Sequence, residues 1–269
     1  MPAATAPFPL AAASARLPAV IMIGAAVNAL VVSLMTGLGP EATPSITFGI
    51  NPFQLVAVGV AARLSLGDGV ATRPHGPWLD ALAIALVLVP SSAVAWLALA
   101  IYAGVQATQT TSERRAGALI FLALAIASLW SSVVLKWIAL PITTAEAFLV
   151  AKALAPFRPD IVQIANVVGD QTTHNLIIMT KCTTADALPQ SAVALAAVAL
   201  LLGPVTPKRL FGACAALGAL YAVANLVRLA AMAWSAENYA LVHGPIGANI
   251  FDLFQVVAVL ALAASASRP

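Results

Sequence analysis

Apolar residues in this chain are grouped in long runs, and the polar residues stand between the runs. A helix needs about 20 apolar residues to cross roughly 30 Å of hydrocarbon. Runs of this length lie at about residues 18–38, 79–104, 117–140, 186–203, 209–234 and 245–265, and a weaker run covers 46–66. Because backbone groups cannot stay unpaired in lipid, the pattern predicts an all-α fold, a polytopic transmembrane helical bundle of about 7–8 spans.

Two neighbouring segments in the second half do not fit the spanning pattern. Segment 145–157 is too short to span and carries Glu146 and Lys152, so it is typical of an interfacial or re-entrant helix. Segment 158–187 is the most polar part of the chain and is longer than an ordinary helix–helix connection. Its mixed polar and apolar pattern predicts folded-back structure packed on the bundle, and not a free linker.

The N-terminal stretch 1–17 is rich in Ala and Pro and has Arg16 as its only charge. It lacks the basic region and the short apolar core of a secretory signal, and the first apolar run is long enough to remain as an anchor. We expect residues 1–17 to be a disordered tail and residues 18–269 to form a single transmembrane domain.

Composition limits the class of protein. Hydrophobic residues make up 61% of the 269 positions and charged residues 9%, whereas soluble domains are about 45–50% apolar and about 25% charged. These values exclude a soluble globular enzyme and a disordered chain, and two cysteines cannot form a disulfide scaffold. The net charge of +3 rests on only 13 Lys and Arg residues, so membrane lipids are expected as partners and nucleic acid is not.

Orientation follows from Lys and Arg in short loops, which favour the cytoplasmic side. Basic residues occur in three places that fall on one side of the membrane if the last three spans alternate in direction. They are Arg114 and Arg115, Lys208 and Arg209, and Arg268. We expect that side to face the cytoplasm, and the loop 141–187 and the segment 235–244 to face outward. Arg63 and Arg73 leave the direction of the first two spans open.

Three reactive side chains are expected at one level of the membrane. Cys182 lies four residues before the run 186–203. Arg228 lies 19 residues after Arg209, and at 1.5 Å per residue this is a rise of roughly 28 Å, back to the outer surface. His243 stands at the start of the last run. Separate segments therefore bring a thiol, a guanidinium and an imidazole to the outer side.

These three groups together are suited to acyl transfer. An ionised thiol is a good nucleophile, and an imidazole can take its proton and return it to a leaving amine. A guanidinium favours the thiolate and can donate hydrogen bonds to an oxyanion. We therefore predict Cys182 as nucleophile, His243 as acid/base and Arg228 as stabiliser, in a catalytic part at about 158–265. Asn225, one helical turn before Arg228, is expected to fix the arginine or to add a second donor.

Each group also has a simple structural explanation. A histidine at a membrane interface can be a polar cap, an arginine near a span end often extends to the head groups, and a cysteine commonly behaves as a small apolar residue. Cys214, inside an apolar run with no polar neighbour, fits that last description. The coincidence of three such groups at one level favours a site.

Other polar residues of the outer side offer weaker signals. Asp170 and His174 are spaced i, i+4, but no third or fourth ligand stands at a suitable spacing, so neither a metal nor a cofactor is expected. We expect these two side chains and Tyr239 to line the substrate entrance, with a solvated loop as the alternative for Asp170 and His174. Asp252 lies nine residues after His243, about half a turn away in helical phase, and is expected to face elsewhere.

The order of these motifs resembles the exosortase/archaeosortase family over about residues 175–260. The residues that carry the resemblance are Cys182 just before a span, Asn225-Leu-Val-Arg228 near the end of the next, and His243, followed by Gly244 and Gly247, at the start of the last. Many members have a Gly and an Arg soon after the cysteine. Here the sequence is Cys182-Thr-Thr-Ala-Asp186, which is typical of a divergent member with its own target.

The resemblance implies a multi-pass cysteine protease/transpeptidase of a prokaryotic plasma membrane, with its active site on the outer side. Such enzymes cleave next to a C-terminal sorting signal, which consists of a short motif, a transmembrane helix and a basic tail, and they transfer the protein to a lipid or surface acceptor. Cys182 would be the nucleophile, Arg228 the transition-state stabiliser and His243 the acid/base. Substrate proteins with such a signal and the acceptor are the implied partners.

Two other functions are compatible with parts of the pattern. A non-enzymatic transporter or assembly factor would bind an anionic substrate through Arg228 and His243, and it would tolerate replacement of Cys182. An intramembrane serine or metal protease is disfavoured, because the sequence contains neither Gly-x-Ser-x-Gly nor His-Glu-x-x-His.

Overall fold

The computed structural model describes residues 9–37, 51–70 and 76–268, and most of these are helical. The predicted helical character is therefore confirmed. The chain divides into two compact units, Met1–Leu129 and Trp130–Pro269. The predicted catalytic part, 158–265, falls inside the second unit.

The described part of the first unit consists of α1 (Pro9–Gly37), α2 (Pro52–Ser65), α3 (Pro77–Val87), α4 (Ser92–Gln109) and α5 (Ser112–Leu129). Helix α4 packs against α1, α3 and α5, and α2 packs against α5. Trp96 and Tyr102 of α4 and Phe121 of α5 are among the largest fully buried side chains. These apolar and aromatic groups form the core of the unit.

The second unit combines helices with a small sheet. It opens with a π-helical turn (Trp130–Val134), α6 (Leu135–Trp137) and α7 (Ala139–Leu154). The strands β1 (Val162–Ile164), β2 (Val167–Gly169) and β3 (Asn175–Ile177) follow. A 3-10 turn (Thr180–Cys182) then leads into α8 (Thr184–Leu202), α9 (Pro207–Trp234), α10 (Ala236–His243) and α11 (Pro245–Ala266).

Five helices within the described residues are long and apolar enough to cross a membrane. They are Arg16–Met35, Ser112–Trp137, Thr184–Leu202, Pro207–Trp234 and Pro245–Ala266. The predicted run 46–66 is represented by α2, which has 14 residues, and residues 46–50 lie outside the described part. Helix α7, in the predicted non-spanning segment, is not among the five. A total of about 7–8 spans stays a prediction.

The predicted run 79–104 is not one helix, and this part of the prediction is wrong. Helix α3 ends at Val87 and α4 begins at Ser92. Pro90 between them has no N–H to donate to the carbonyl four residues earlier, so a helix cannot continue through it without a break. Ser91 then starts α4, because its side chain accepts a backbone N–H of the first turn as the N-cap.

Two polar side chains of α1 form hydrogen bonds with residues on either side of this break between α3 and α4. The amide nitrogen Nδ2 of Asn28 donates to the carbonyl oxygen of Val87 at 2.6 Å. Farther along α1, the hydroxyl oxygen of Ser33 lies 2.8 Å from that of Ser92 at the start of α4. A carbonyl released at a helix end within lipid finds no water, so the neighbouring helix supplies its partner.

The N-terminal tail is shorter than predicted. Helix α1 begins at Pro9, so residues 9–17 are helical and the predicted disordered stretch 1–17 does not extend over them. Residues 1–8 lie outside the described part of the chain. The predicted single domain 18–269 corresponds to most of the first unit and all of the second.

The segment after α7 folds back as predicted, but it does so as a sheet, so the all-α description is incomplete. β2 is the central strand, with β1 and β3 antiparallel on either side. Alternation along the strands buries Val168 and Leu176. These side chains join a core with α7 and α9 that includes Val150, Leu229 and Met232. This packing fixes the chain that leads to Cys182.

Replacing Asn28 by Leu should lower the free energy of unfolding by about 1 kcal/mol, because the Val87 carbonyl would lose its partner in an apolar surrounding. The measurement is denaturant unfolding in detergent micelles, followed by tryptophan fluorescence. The control is Val27→Leu, at a neighbouring side chain of α1 that is 47% exposed. Equal stability of the two variants would contradict the role given to Asn28.

Candidate active site

Cys182 lies in a short turn that is fixed by hydrogen bonds just before α8. The Cys182 N–H donates to the Met179 carbonyl oxygen at 2.9 Å, and the Thr183 N–H donates to that of Thr180 at 3.0 Å. The Thr183 hydroxyl also donates to the Thr180 carbonyl oxygen, at 2.7 Å, and this threonine is only 3% exposed. The thiol of Cys182 is half-buried and is not in a disulfide.

Arg228 extends from α9 six residues before the helix ends. Its guanidinium carbon lies 4.6 Å from the centroid of the Phe251 ring on α11, which is a cation–π contact. Its Nε is buried and has no hydrogen-bond partner among the described residues. A buried N–H without an acceptor is costly, so this nitrogen is available to an acceptor atom of a ligand.

Cys182 and Arg228 line one pocket of about 250 Å³. The other lining residues come from the Cys182 turn, the start of α8, α9 and α11, and they include Tyr221, Asn225, Asp252 and Gln255. The structure therefore brings the predicted thiol and guanidinium to the same polar pocket. Lys181, beside the cysteine, also lines it.

The Asn225 side chain donates hydrogen bonds to the cysteine backbone and to Glu146, and not to the arginine that it was expected to fix. Its Nδ2 donates to the Cys182 carbonyl oxygen at 2.9 Å and to Oε2 of Glu146 at 3.3 Å. The side chain is buried, with 5% of the residue exposed. Its location at the site agrees with the expectation, whereas its partners are different.

His243 ends α10, and the structure does not place it among the residues that line the Cys182 pocket. Its exposed imidazole stacks on the ring of Tyr239, with the centroids 4.9 Å apart and the planes at 26°. The glycines that follow allow a tight corner into α11, because a Cβ at Gly247 would collide with the Val242 carbonyl oxygen. Tyr239 and Cys182 pack against the same hydrophobic core.

His174 and Asp170, the two other residues predicted to line the substrate entrance, form hydrogen bonds with backbone groups near them. The Nε2 of His174 donates to the Met232 carbonyl oxygen at 2.8 Å, which gives a partner to a carbonyl in the last turn of α9. Asp170 accepts the N–H groups of Thr172 at 2.9 Å and Thr173 at 2.7 Å. The His174 and Tyr239 rings lie 6.0 Å apart, centre to centre, so these two predicted entrance residues come close to each other.

Arg158 gives the end of α9 a second partner. It donates to the Trp234 carbonyl oxygen at 2.9 Å, and its guanidinium carbon lies 5.6 Å from the Trp234 ring. It also forms an ion pair with Asp160. The sheet segment is therefore attached to the last turn of α9 at two points, through Arg158 and His174.

The described residues contain no group of three or more His, Cys, Asp and Glu side chains that could hold a metal. Asp170 and His174 do not converge on a common point, because the Asp170 carboxylate faces its own turn and the His174 Nε2 faces α9. The expectation that no metal or cofactor is needed stays a prediction.

Sequence reasoning missed two carboxylates of the site. Glu146 on α7 contacts Asn225 and the Thr184 N–H, and burial raises the pKa of its carboxyl above the usual value. Asp252 lines the Cys182 pocket, although it does not face the same way as His243. A glutamate in a helix too short to span the membrane was the signal for the first. Nothing in the sequence separated the second from a lipid-facing polar residue.

The chain matches no protein-family model, no curated protein and no solved structure. The site is therefore defined by its own geometry, which is a half-buried thiol and a partly unpaired guanidinium in one pocket. The resemblance of the motif order to the exosortase/archaeosortase family remains a basis for proposals.

Acid should loosen the turn at Asp170. Hydrogen bonds from the Thr173 hydroxyl and from the N–H groups of His174, Thr173 and Thr172 hold the pKa of its carboxyl well below the usual range. The unfolded chain then takes up the proton first, so this stabilisation is present above about pH 4 and is lost as the pH falls through the folded pKa. Hydrogen exchange of residues 170–174, corrected for the intrinsic pH effect, should rise between pH 5 and pH 2.5.

The matched variant is Asp170→Asn, which keeps an acceptor oxygen but cannot ionise. Its exchange should show no such pH dependence in this segment. An identical pH dependence in the variant and the original protein would contradict the assignment to Asp170.

Proposed function

We propose that the chain is a membrane-embedded cysteine protease/transpeptidase that cleaves a C-terminal sorting signal of surface or exported proteins. The observation that carries the proposal is the pocket shared by Cys182 and Arg228, where the buried Nε of the arginine has no partner in the described part of the chain. The resemblance to the exosortase/archaeosortase family supplies the class of substrate.

In the proposed reaction the Cys182 thiolate attacks the carbonyl carbon of the scissile peptide, and the thiol proton passes to His243. The carbonyl oxygen becomes an oxyanion, to which Arg228 donates. Collapse of the intermediate breaks the C–N bond, and the leaving amine takes the proton from the imidazolium. Water or an acceptor nucleophile then cleaves the thioester and releases the Cys182 thiol.

The proton transfer places the strictest requirement on the position of His243. His243 stacks on Tyr239 and is not one of the lining residues of the pocket, so it has to approach the substrate from the α10–α11 corner. Asp252, which does line the pocket, is the competing proton acceptor. The two assignments predict different effects of substitution.

The proposed location is a prokaryotic plasma membrane, with about 7–8 spans and the pocket on the outer side. Support comes from the opposite end of α9 and α11, where Arg209 donates to the backbone carbonyl of Arg268. Two basic residues at that end favour the cytoplasmic side. The proposed partners are membrane lipids, proteins with a C-terminal sorting signal, and a lipid or surface acceptor.

A transporter or assembly factor that binds an anion is the second candidate. The unpartnered Nε of Arg228 favours it, because a carboxylate or phosphate would be a suitable acceptor. It is weakened by His243, which was expected to bind the same anion but is absent from the residues lining the Arg228 pocket. Cys182 separates the two functions, since an anion binder has no need of a thiol.

Cys182→Ala and Cys182→Ser should abolish processing, by on the order of 10³-fold or more, because the nucleophile is lost. Arg228→Gln should lower it by about 10²- to 10³-fold through loss of an oxyanion donor. His243→Gln should lower it by about 10²- to 10⁴-fold, and Asp252→Asn by much less. The measurement is the gel mobility of a co-expressed candidate substrate, a protein that ends in a short motif, an apolar helix and an Arg-rich tail.

The matched control is Cys214→Ser, at the half-buried cysteine of α9 that does not line the pocket. It should process the substrate normally. Unchanged processing by Cys182→Ser would refute the enzyme and favour the transporter. A larger loss in Asp252→Asn than in His243→Gln would transfer the acid/base role to Asp252.

The orientation has its own test in intact cells. In a Cys214→Ala background, a membrane-impermeant maleimide should label Cys182 from outside. A cysteine introduced by Ser267→Cys, in a Cys182→Ala and Cys214→Ala background, should be labelled only after the cells are opened. Labelling of Ser267→Cys in intact cells would overturn the proposed orientation.

A further inference from the structure

The Cys182 turn is attached to the helix that carries Arg228. The bond is the one from Asn225 Nδ2 to the Cys182 carbonyl oxygen, at 2.9 Å. Asn225 precedes Arg228 by three residues on α9, so both side chains lie on one face of the helix. A buried amide therefore holds the backbone of the thiol residue at a fixed place relative to the guanidinium.

A carboxylate from a third element binds the end of the same turn through one oxygen and the Asn225 amide through the other. Glu146, on α7, accepts the Thr184 N–H through Oε1 at 2.9 Å and the Asn225 Nδ2 through Oε2 at 3.3 Å. A side-chain amide has two N–H groups, so Asn225 can serve the Cys182 carbonyl and the Glu146 carboxylate together. The Cys182 carbonyl and the Thr184 N–H, which both follow the cysteine Cα in the chain, are thus bound to one carboxylate, the N–H directly and the carbonyl through Asn225.

Glu146 also supplies a cap that α8 lacks. The N-cap residue Thr183 makes no side-chain cap bond, because its hydroxyl donates back to Thr180. The first N–H groups of a helix have no acceptor within the helix, and that end carries partial positive charge. The Glu146 carboxylate gives the Thr184 N–H an acceptor and places a negative charge at this positive end, although it comes from a residue 38 positions away.

The arrangement needs a carboxylate and not merely an acceptor. Two donors, the Thr184 N–H and the Asn225 amide, point at the two oxygens of Glu146. A glutamine in the same place could accept only one of them, and its own N–H₂ group would face a donor. Burial of this carboxylate is costly. The two hydrogen bonds that it accepts offset the cost and join three elements at one point.

We infer that Glu146 is a positioning residue for Cys182. Together with Asn225 it clamps the stretch Cys182–Thr184 between α7 and α9, and this keeps the thiol in the pocket of Arg228. The inference rests on the proposed function only in that it takes Cys182 as the nucleophile. Glu146 is not among the residues that line that pocket, and it acts through the backbone that follows the cysteine, from the Cys182 carbonyl to the Thr184 N–H.

The clamp can be tested without any substrate, by the rate at which a small maleimide alkylates Cys182. The experiment uses the full chain in nanodiscs, in a Cys214→Ala background. Glu146→Gln should raise the rate on the order of tenfold, because the half-buried thiol is exposed more often when its turn is released. The matched control is Glu237→Gln, the same chemical change at an exposed carboxylate of α10, and it should leave the rate unchanged.

A second variant separates the clamp from a simple effect of charge. Thr184→Pro removes the N–H that Glu146 accepts but keeps the carboxylate. Proline is tolerated at the first position of a helix, and the extended backbone of Thr183 (φ −89°, ψ 149°) suits the residue before a proline. The alkylation rate of Thr184→Pro should rise as that of Glu146→Gln does. Thermal unfolding of each variant identifies any that fails to fold.

A double-mutant cycle tests whether the two clamp residues act together. Glu146→Gln and Asn225→Ala should each raise the alkylation rate, and the double variant should exceed the larger single effect by less than about twofold. In the processing assay, Glu146→Gln should lower kcat on the order of tenfold with KM unchanged, and Glu146→Asp should recover part of the loss.

The inference is overturned if Glu146→Gln and Thr184→Pro, both folded, alkylate at the rate of the Glu237→Gln control. Independent, multiplying effects of the Glu146 and Asn225 substitutions would overturn it as well. Failure of the proposed function is a different result. In that case Cys182→Ser would still process the substrate, while the alkylation rates would report on the clamp as before.

Discussion

Hydrocarbon offers no hydrogen-bond partners, so a backbone group released where a helix ends has to be paired by the protein itself. In the first unit, the Asn28 amide serves the Val87 carbonyl beside the break between α3 and α4. In the second unit, Pro189 has no N–H to donate to the Ala185 carbonyl oxygen in the first turn of α8, and the Trp130 indole N–H donates to that oxygen at 2.9 Å instead. Few polar residues are available in a chain with 9% charged positions. Their places are consequently set by helix ends and by prolines inside helices.

The candidate site grows out of the same constraint. The start of α8 is paired by Glu146, and the end of α9 is paired by Arg158 and His174. The segment from Arg158 to Thr184 is thereby fixed at both of its ends, and it carries Cys182 in its last turn. A thiol held in this way needs little reorganisation before it attacks a substrate. Structural pairing and the proposed catalysis thus use the same polar groups.

Arg228 is the exception that points to function. Its guanidinium contacts the Phe251 ring and interacts electrostatically with the Asp252 carboxylate, yet its Nε stays buried without a hydrogen-bond partner in the described part of the chain. A buried nitrogen without an acceptor is suited to a charge that arrives with a substrate. The oxyanion of an acyl-transfer intermediate is a charge of that kind.

The sequence by itself determined the long apolar helices and the shared level of Cys182 and Arg228, because a helical rise of 1.5 Å per residue converts spacing into depth. The sequence also contained Pro90, which interrupts the helix, but the prediction followed the continuous apolar run 79–104 and missed this break. Depth says nothing about rotation around a helix axis or about which helices are neighbours. Only the tertiary structure decided that His243 stacks outside the pocket and that Glu146 reaches Asn225 across 79 positions of sequence. Those contacts depend on side-chain packing between elements that are distant in the chain.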